Sequence, residues 1–563
     1  MIEDPHSTRK VHFGSILLVV APIVLFYVVS VAYSLNIPWF DDIENIPYFL
    51  LNWLDADDLS GKLSALFRPN NEHRVVGARL VVLLQQGVTG AINFRVLAFI
   101  GNLSVLGIFW LIVRNFRKTE SKVLWLLPAA LLIFNLQFYA MTFMTIMALQ
   151  YQLVIFLSFL AFHLLARQST PSFWLAIAVA WLDTFSMGNG MMVWPSGVVL
   201  LLFQGRWKDL GIWTGLGAVA IFLYFSGYDF VQGNEKGFTY ILANPLKVLV
   251  GLCAMVGGIF DIFPTASFGK RMLSPAAMGA ALMGFVMYWL GMLYTKSVYW
   301  NKAKSMWITR YLSEQYLIKQ ERYGADAFWL ASLAYLMASM ALVVFFRTRF
   351  DYELVLWSTY KLYPGCFAAI CYLLLISLVQ SKYKKYVMSL ALFGALLAWG
   401  SSYYHFVPEV AKIRKVRQAF AFNQRYNGIG LGTSKGTAFE PMVVSTLQGT
   451  AEKGVYQLPS PLVHRGETDL SQQFTEGTSK VTLRETEESV HIDLPEQSTE
   501  PQPDRYAVLK SPRNIYLFYS SPASGTADCP KAMLRGGTYK VEIWEVGDER
   551  DRLLATHQTV TIR

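Results

Sequence analysis

The chain has 563 residues, of which 54% are hydrophobic and 16% charged, with a mean hydropathy of +0.34. A soluble globular chain carries about 25% charged residues, so this one lacks the polar face needed to solvate itself, which specifies a polytopic, mainly α membrane protein and excludes a cytosolic enzyme, a secreted disulfide scaffold and a disordered chain. The net charge of +10 gathers in short loops between apolar runs, where cytoplasmic loops and anionic lipid select Lys and Arg, so it does not point to nucleic acid.

Apolar runs long enough to span a bilayer fall near 14–33, 94–114, 123–139, 146–166, 211–227, 275–294, 328–346, 360–380 and 386–404. Two shorter runs, 173–187 and 190–204, are separated only by Met187-Gly188-Asn189-Gly190. A further run at 246–263 carries Gly251, Gly257 and Gly258. Basic residues before the first run (Arg9, Lys10) and at Arg114, Arg117, Lys118, Arg167, Arg206 and Lys208 place the N-terminus in the cytoplasm. If 246–263 enters and leaves on the outer side, the basic stretch 295–327 also faces the cytoplasm. The expected topology is therefore about eleven transmembrane helices plus one re-entrant segment. Charge does not orient the last hairpin, because Lys382, Lys384 and Lys385 oppose Lys412, Arg414, Lys415 and Arg417.

The first outer loop, 34–74, is rich in acids, among them Asp41 and Asp42 directly after Trp39-Phe40. Ile46, Phe49, Leu50, Trp53 and Leu54 recur at helical spacing, which predicts an amphipathic helix lying in the interface. That helix would hold Asp41 and Asp42 at the membrane surface, where a carboxylate can take a proton from an acceptor hydroxyl. Asn70-Asn71-Glu72-His73-Arg74 reads as a helix start, with Asn as the cap and Glu72 in the first turn. His73, Arg74 and Arg79 then make either a phosphate site at exposed helix N–H groups or a set of cations among lipid headgroups.

The Gly188-Asn189-Gly190 turn suits positive φ values. Arg347, Arg349, Asp351, Glu353 and Ser358-Thr359-Tyr360-Lys361 form a late polar outer loop whose arginines either hold a phosphate or snorkel. Gln137, Gln150 and Gln152 lie within apolar runs, where polar groups line a cavity or bond a neighbouring helix. From about residue 406 the composition turns polar. Asn514–Tyr519, Val541–Val546 and Thr559–Ile562 alternate as strands, giving a transmembrane module over 1–405 and a soluble β-sandwich-like domain over 406–563. Cys253, Cys366 and Cys371 lie in apolar runs and Cys529 is alone in the polar region, so no disulfide within that region and no metal spacing follows.

In order along the chain stand a paired acid after the first span, the Asn-Glu-His-Arg segment at 71–74, and Gly188-Asn189-Gly190 running into Met192-Val193-Trp194-Pro195. Leu223-Tyr224-Phe225-Ser226-Gly227-Tyr228 and the late Arg/Ser/Tyr loop follow. This series resembles the bacterial GT-C-type membrane glycosyltransferases over roughly residues 10–400. The resemblance implies an enzyme of the cytoplasmic membrane that transfers a sugar, with inversion, from a polyprenyl-phosphate carrier to an extracytoplasmic glycan acceptor. It implies Asp41 or Asp42 as the general base, and His73, Arg74 and Arg349 on the donor phosphate. Glu72, Asn189 and Tyr360 would support them. The family's late-loop Ser-Arg-Tyr is Ser358-Thr359-Tyr360 here. No cofactor is implied, and the acid pair leaves divalent-metal assistance open. A transporter or flippase of lipid-linked glycan, or an O-antigen ligase- or polymerase-like enzyme, is the alternative reading. The β-domain, outside the resemblance, is expected on the extracytoplasmic side.

Overall fold

The computed structural model describes residues 13–70, 73–227, 236–298, 323–460, 478–495, 503–522, 524–546 and 552–562. Among them, seven helices are long and apolar enough to cross a membrane: Phe13–Tyr33, Phe94–Phe116, Thr145–Leu165, Trp207–Phe225, Phe268–Tyr294, Gly324–Arg347 and Ser381–Asn427. Shorter apolar helices lie between them, including Val123–Ile133, Gly188–Phe203, Pro245–Val256 and Leu362–Leu378. Thr170–Thr184 joins them as a helix of 15 residues.

The 12 residues of Pro245–Val256 rise about 18 Å, short of a hydrocarbon core of about 30 Å. Gly257 follows, with its Cα against the Pro275 carbonyl, and Gly279 of the next helix lies against the Cys253 carbonyl. A Cβ at either position would strike backbone, so these two glycines set how closely the hairpin closes.

The bundle has two chemically distinct ends. At one, Asn115 Nδ2 meets His163 Nδ1 at 3.0 Å, Arg167 meets His163 Nε2 at 3.1 Å, and Lys384 pairs with Glu120. At the other, helices stop short and their loops meet. Ile146 N donates to Asp42 Oδ1 at 2.7 Å, Ala140 N to Ser358 Oγ at 3.1 Å, and Lys361 Nζ to Asp261 Oδ2 at 3.0 Å.

The amphipathic helix of the first loop forms over 41–55, interrupted by a wide turn at Glu44–Tyr48 that contains Pro47. Its apolar face is covered by protein at Ile46, Phe49 and Leu50, whereas Leu54 is exposed. Ile46, Phe49 and Leu50 are buried by Val75, Val82 and Ile92 and by Val455 and Tyr456 of the C-terminal segment. Helix Phe439–Glu452 covers the loop, with Gly449 against Leu51, and Tyr456 donates its hydroxyl to Asn36 O at 3.0 Å.

Helix Ser381–Asn427 has 47 residues, so it runs unbroken through the compositional boundary at 406. Among the described residues it carries one antiparallel sheet rather than a sandwich. The strands are β1 (Thr482–Glu485), β2 (Ser489–Asp493), β3 (Asp504–Lys510), β4 (Ile515–Ser520), β5 (Thr526–Pro530), β6 (Gly537–Val546) and β7 (Arg552–Ile562), in the order β1-β2-β5-β4-β3-β6-β7. No second sheet is needed. One face curls around its own core of Ile492, Leu509, Phe518, Val541 and Ile543. The other packs Tyr506, Val508, Leu517 and Trp544 on Ala419 and Phe422 of the helix, so Trp544 is core, as its place in a strand suggested.

β5 pairs with β4 only at Ser520↔Ala527, leaving part of the β4 edge open. Asn423 and Asn427, one helical turn apart, close it. Each side-chain amide makes both bonds that a neighbouring strand would. Leu517 N donates to Asn423 Oδ1 at 2.7 Å and Asn423 Nδ2 donates to Leu517 O at 2.9 Å, and Asn427 treats Ile515 likewise at 3.2 and 2.7 Å. Removing one amide strands a buried N–H and C=O at a cost of about 1–3 kcal/mol. Asn423→Ala is therefore expected to make the sheet susceptible to protease before the bundle in detergent-solubilised protein. An unchanged digestion profile would show that the two amides do not couple sheet to helix.

Candidate functional site

The acid pair is placed by an uncommon backbone turn. Phe40 has φ 51, rare for a bulky side chain. Its N–H is held by Leu431 O at 3.1 Å, and its ring packs on Gly432 and, at 6.2 Å, on Phe439. The reversal sends the next two residues in different directions.

Asp42 is 1% exposed. Its carboxylate accepts from Trp39 N at 2.9 Å and Ile146 N at 2.7 Å. Arg417 is within electrostatic reach, with its guanidinium 5.5 Å over the Trp39 ring and one N–H on Phe143 O at 2.6 Å. Burial pushes the Asp42 carboxyl up to about 6, against the pull of the Ile146 N–H, Arg417 and the Trp39 N–H. A group so enclosed, with both backbone N–H bonds directed at its carboxylate, fixes the loop.

Asp41 stays partly exposed. Burial first, and Glu44 second, raise its carboxyl above the ordinary value. It is within electrostatic reach of Tyr151, which is likewise in reach of Tyr360, Tyr363 and Arg347. The Tyr151 and Tyr360 rings stand 6.2 Å apart, edge to face. Asn189, from the Gly-Asn-Gly turn, donates Nδ2 to Tyr363 OH at 2.8 Å, with Ser339 Oγ at 3.2 Å and Tyr335 OH at 3.3 Å. Its Oδ1 is buried with no hydrogen-bond partner among the described residues. Tyr151 is thus the link, within electrostatic reach of Asp41 on one hand and of Tyr360, Tyr363 and Arg347 on the other, while Asn189 bonds Tyr363; sequence reasoning had not singled out Tyr151 or Tyr363.

Asp183 was also missed. It is fully buried, bonds Ser158 Oγ, and lies within electrostatic reach of Tyr335 and Tyr363. Its signal was a lone acid in the apolar run 173–187.

The expected helix start at 70–74 is instead a tight turn. Asn70 and His73 exchange backbone bonds at 2.8 and 2.9 Å, and the helix begins at Val76, whose N–H goes to Phe185 O at 2.9 Å. Glu72 lies outside the described residues. Arg74 is tied to backbone: its Nε donates to Tyr224 O at 2.8 Å, Nη2 to Ser226 O at 2.6 Å, and Nη1 to Phe67 O. Arg79 Nη1 reaches Ala65 O, Leu66 O and Arg68 O at 3.2, 2.9 and 2.6 Å. The two guanidinium groups cap the carbonyl end of helix Leu59–Phe67, where cations are favoured. That use of their donors argues against a phosphate role for Arg74. His73 packs beside Gly188, 3.0 Å from the position of a Cβ there, so it borders the Asn189 turn. Arg349 lies 4.3 Å over the Phe350 ring.

Among the described residues no three His, Cys, Asp or Glu side chains converge as a metal site would require. Compared with protein families, with curated proteins and with solved structures, the chain matches none.

The Asp42 carboxyl gives a pH signature. Its native value, about 6, lies above the ordinary 3.8, so the folded state binds the proton more tightly. Stability from this group is present below about pH 4 and is lost as pH rises through 6, amounting to about 3 kcal/mol. Asp42→Asn should flatten that part of the Tm-against-pH curve relative to wild type; parallel curves would remove Asp42 as the cause.

Proposed function

We propose that the chain is a GT-C-like transferase that moves a sugar from a polyprenyl-phosphate carrier to a glycan acceptor, with Asp41 as the general base. The observation that carries this is the division of the acid pair: Asp42 is locked in place, while Asp41 is left partly exposed and within electrostatic reach of Tyr151, which in turn is in reach of Tyr360, Tyr363 and Arg347. Asp41 accepts the proton of an acceptor hydroxyl, the hydroxyl oxygen attacks the anomeric carbon, and the bond from that carbon to the carrier phosphate breaks with inversion. Arg347 supplies positive charge for the leaving phosphate. Asn189 and Tyr363 orient the sugar, and His73 borders the carrier side.

In this reading the chain crosses the bacterial cytoplasmic membrane eleven times, with Pro245–Val256 re-entrant, and the site and sheet face outward. The sheet steadies the acceptor and performs no chemistry. Asp183 does not favour a transporter. It stands at the end of helix Thr170–Thr184, with its carbonyl against Gly190, and therefore supports the Asn189 turn.

Two measurements test this. Thiol labelling from outside intact cells should modify a Thr486→Cys variant and spare Lys382→Cys; the reverse would invert the site. Mass spectrometry of surface glycan should show a sugar lost on gene deletion and not restored by Asp41→Asn. Loss of a general base costs about 10²–10⁴-fold in rate. Full restoration by Asp41→Asn would end the assignment.

A further inference from the structure

On the far side of the Tyr360 turn lies a pocket of about 480 Å³, within the range that holds small polar ligands. Trp357, Ser358, Thr359 and Lys361 line it, whereas Tyr360, between them, turns its ring to Tyr151. One short turn therefore separates this pocket from Tyr151, which is within electrostatic reach of Asp41. Helix Ser381–Asn427 contributes His405, Phe406 and Glu409, and Tyr139 and Arg271 also line the pocket.

The chemistry of the lining is mixed. Lys361 is buried, and Nζ donates to Gly258 O at 2.7 Å and Asp261 Oδ2 at 3.0 Å. Arg271 Nη2 donates to the same Asp261 oxygen at 2.7 Å. Glu409 and Arg271 both lie within electrostatic reach of Tyr139. Asp261 and Glu409 stand against Lys361 and Arg271, with His405 beside them, and both cations are already engaged by Asp261, so neither is set aside for a phosphate. The pocket does offer charged donors and acceptors beside aromatic faces, and Trp357 is 48% exposed although it shares a wall with those charges. Donors, acceptors and an open aromatic face together suit an uncharged polyol, whose C–H face stacks while its hydroxyls both give and take hydrogen bonds.

We propose that this pocket is a second saccharide site, which holds an uncharged stretch of the acceptor glycan against the face of the turn opposite Tyr360. The word acceptor rests on the transferase reading; saccharide binding does not. The turn would then connect acceptor occupancy, through Tyr360 and Tyr151, to the surroundings of Asp41.

The test uses the full chain in lipid nanodiscs, applied to an array of uncharged oligosaccharides (hexose and N-acetylhexosamine oligomers) and anionic ones (uronic-acid and phosphorylated). Uncharged saccharides should be retained. Trp357→Ala and the isosteric Glu409→Gln should each weaken retention roughly tenfold, the scale of one hydrogen bond to a charged group. Retention of anionic saccharides alone, of none, or of uncharged ones equally by both pocket variants (each confirmed monodisperse) overturns the proposal. If uncharged saccharides bind as expected while Asp41→Asn leaves the surface glycan intact in cells, the saccharide site stands and the transferase reading falls.

Discussion

The burial of one charge organises this molecule. An ionised carboxylate out of water costs several kcal/mol unless it is paired and hydrogen-bonded. The compensation for Asp42 comes from three separate stretches of chain: the Trp39 N–H of its own loop, the Ile146 N–H where Thr145–Leu165 begins, and Arg417 on the long final helix. None of the three alone satisfies the group. The first loop therefore has its observed conformation only when the bundle and the stalk of Ser381–Asn427 are both in place. The C-terminal region belongs structurally to the acid-bearing loop, although composition separates them by hundreds of residues.

That arrangement divides the labour between adjacent, chemically identical residues. Environments that push two carboxyl groups apart are a recurring way to assign separate roles to a pair. Here Asp42 has the buried, bonded position and Asp41 the partly open one, because Phe40 at positive φ reverses the chain just before them. Strain at Phe40 is held by Leu431, Gly432 and Phe439, all C-terminal. The same segment thus neutralises one acid and sets the direction of the other.

Much of this was legible in the sequence and some was not, for identifiable reasons. The apolar runs, the short Gly-interrupted hairpin and the strands near 515, 541 and 559 follow from periodicity and from turn chemistry. Which acid is buried did not, since it depends on Arg417, a contact with no local signature. Arg74 and Arg79 read as free cations because sequence does not show where unsatisfied carbonyls will lie; the end of Leu59–Phe67 supplies them. The amphipathic stripe of 46–54 announced an apolar face but not its cover, which is protein at Ile46, Phe49 and Leu50. The sandwich expected of the C-terminal strands is one sheet because Asn423 and Asn427 make a helix act as the missing neighbour.

The cavity itself is a consequence of where helices stop. Irregular backbone at membrane depth survives only where protein satisfies its polar groups, and in this bundle the long final helix supplies much of that satisfaction. Trp399 Nε1 donates to Phe134 O at 3.1 Å, Ser402 Oγ accepts from Leu136 N at 3.2 Å, Ser401 Oγ donates to Ile262 O at 2.7 Å, and Arg417 takes Phe143 O. Each of these bonds ends on a break near 134–144 or 257–267. Where the final helix does not reach, the loops satisfy one another through Gln137 on Ile259 O and Lys361 on Gly258 O, both at 2.7 Å. A site formed from interrupted helices needs one continuous element beside it to pair the exposed backbone. Ser381–Asn427 meets that need because it is polar enough at Trp399, Ser401, Ser402 and Arg417 to bond the breaks, and apolar enough between them to stay packed in the bundle.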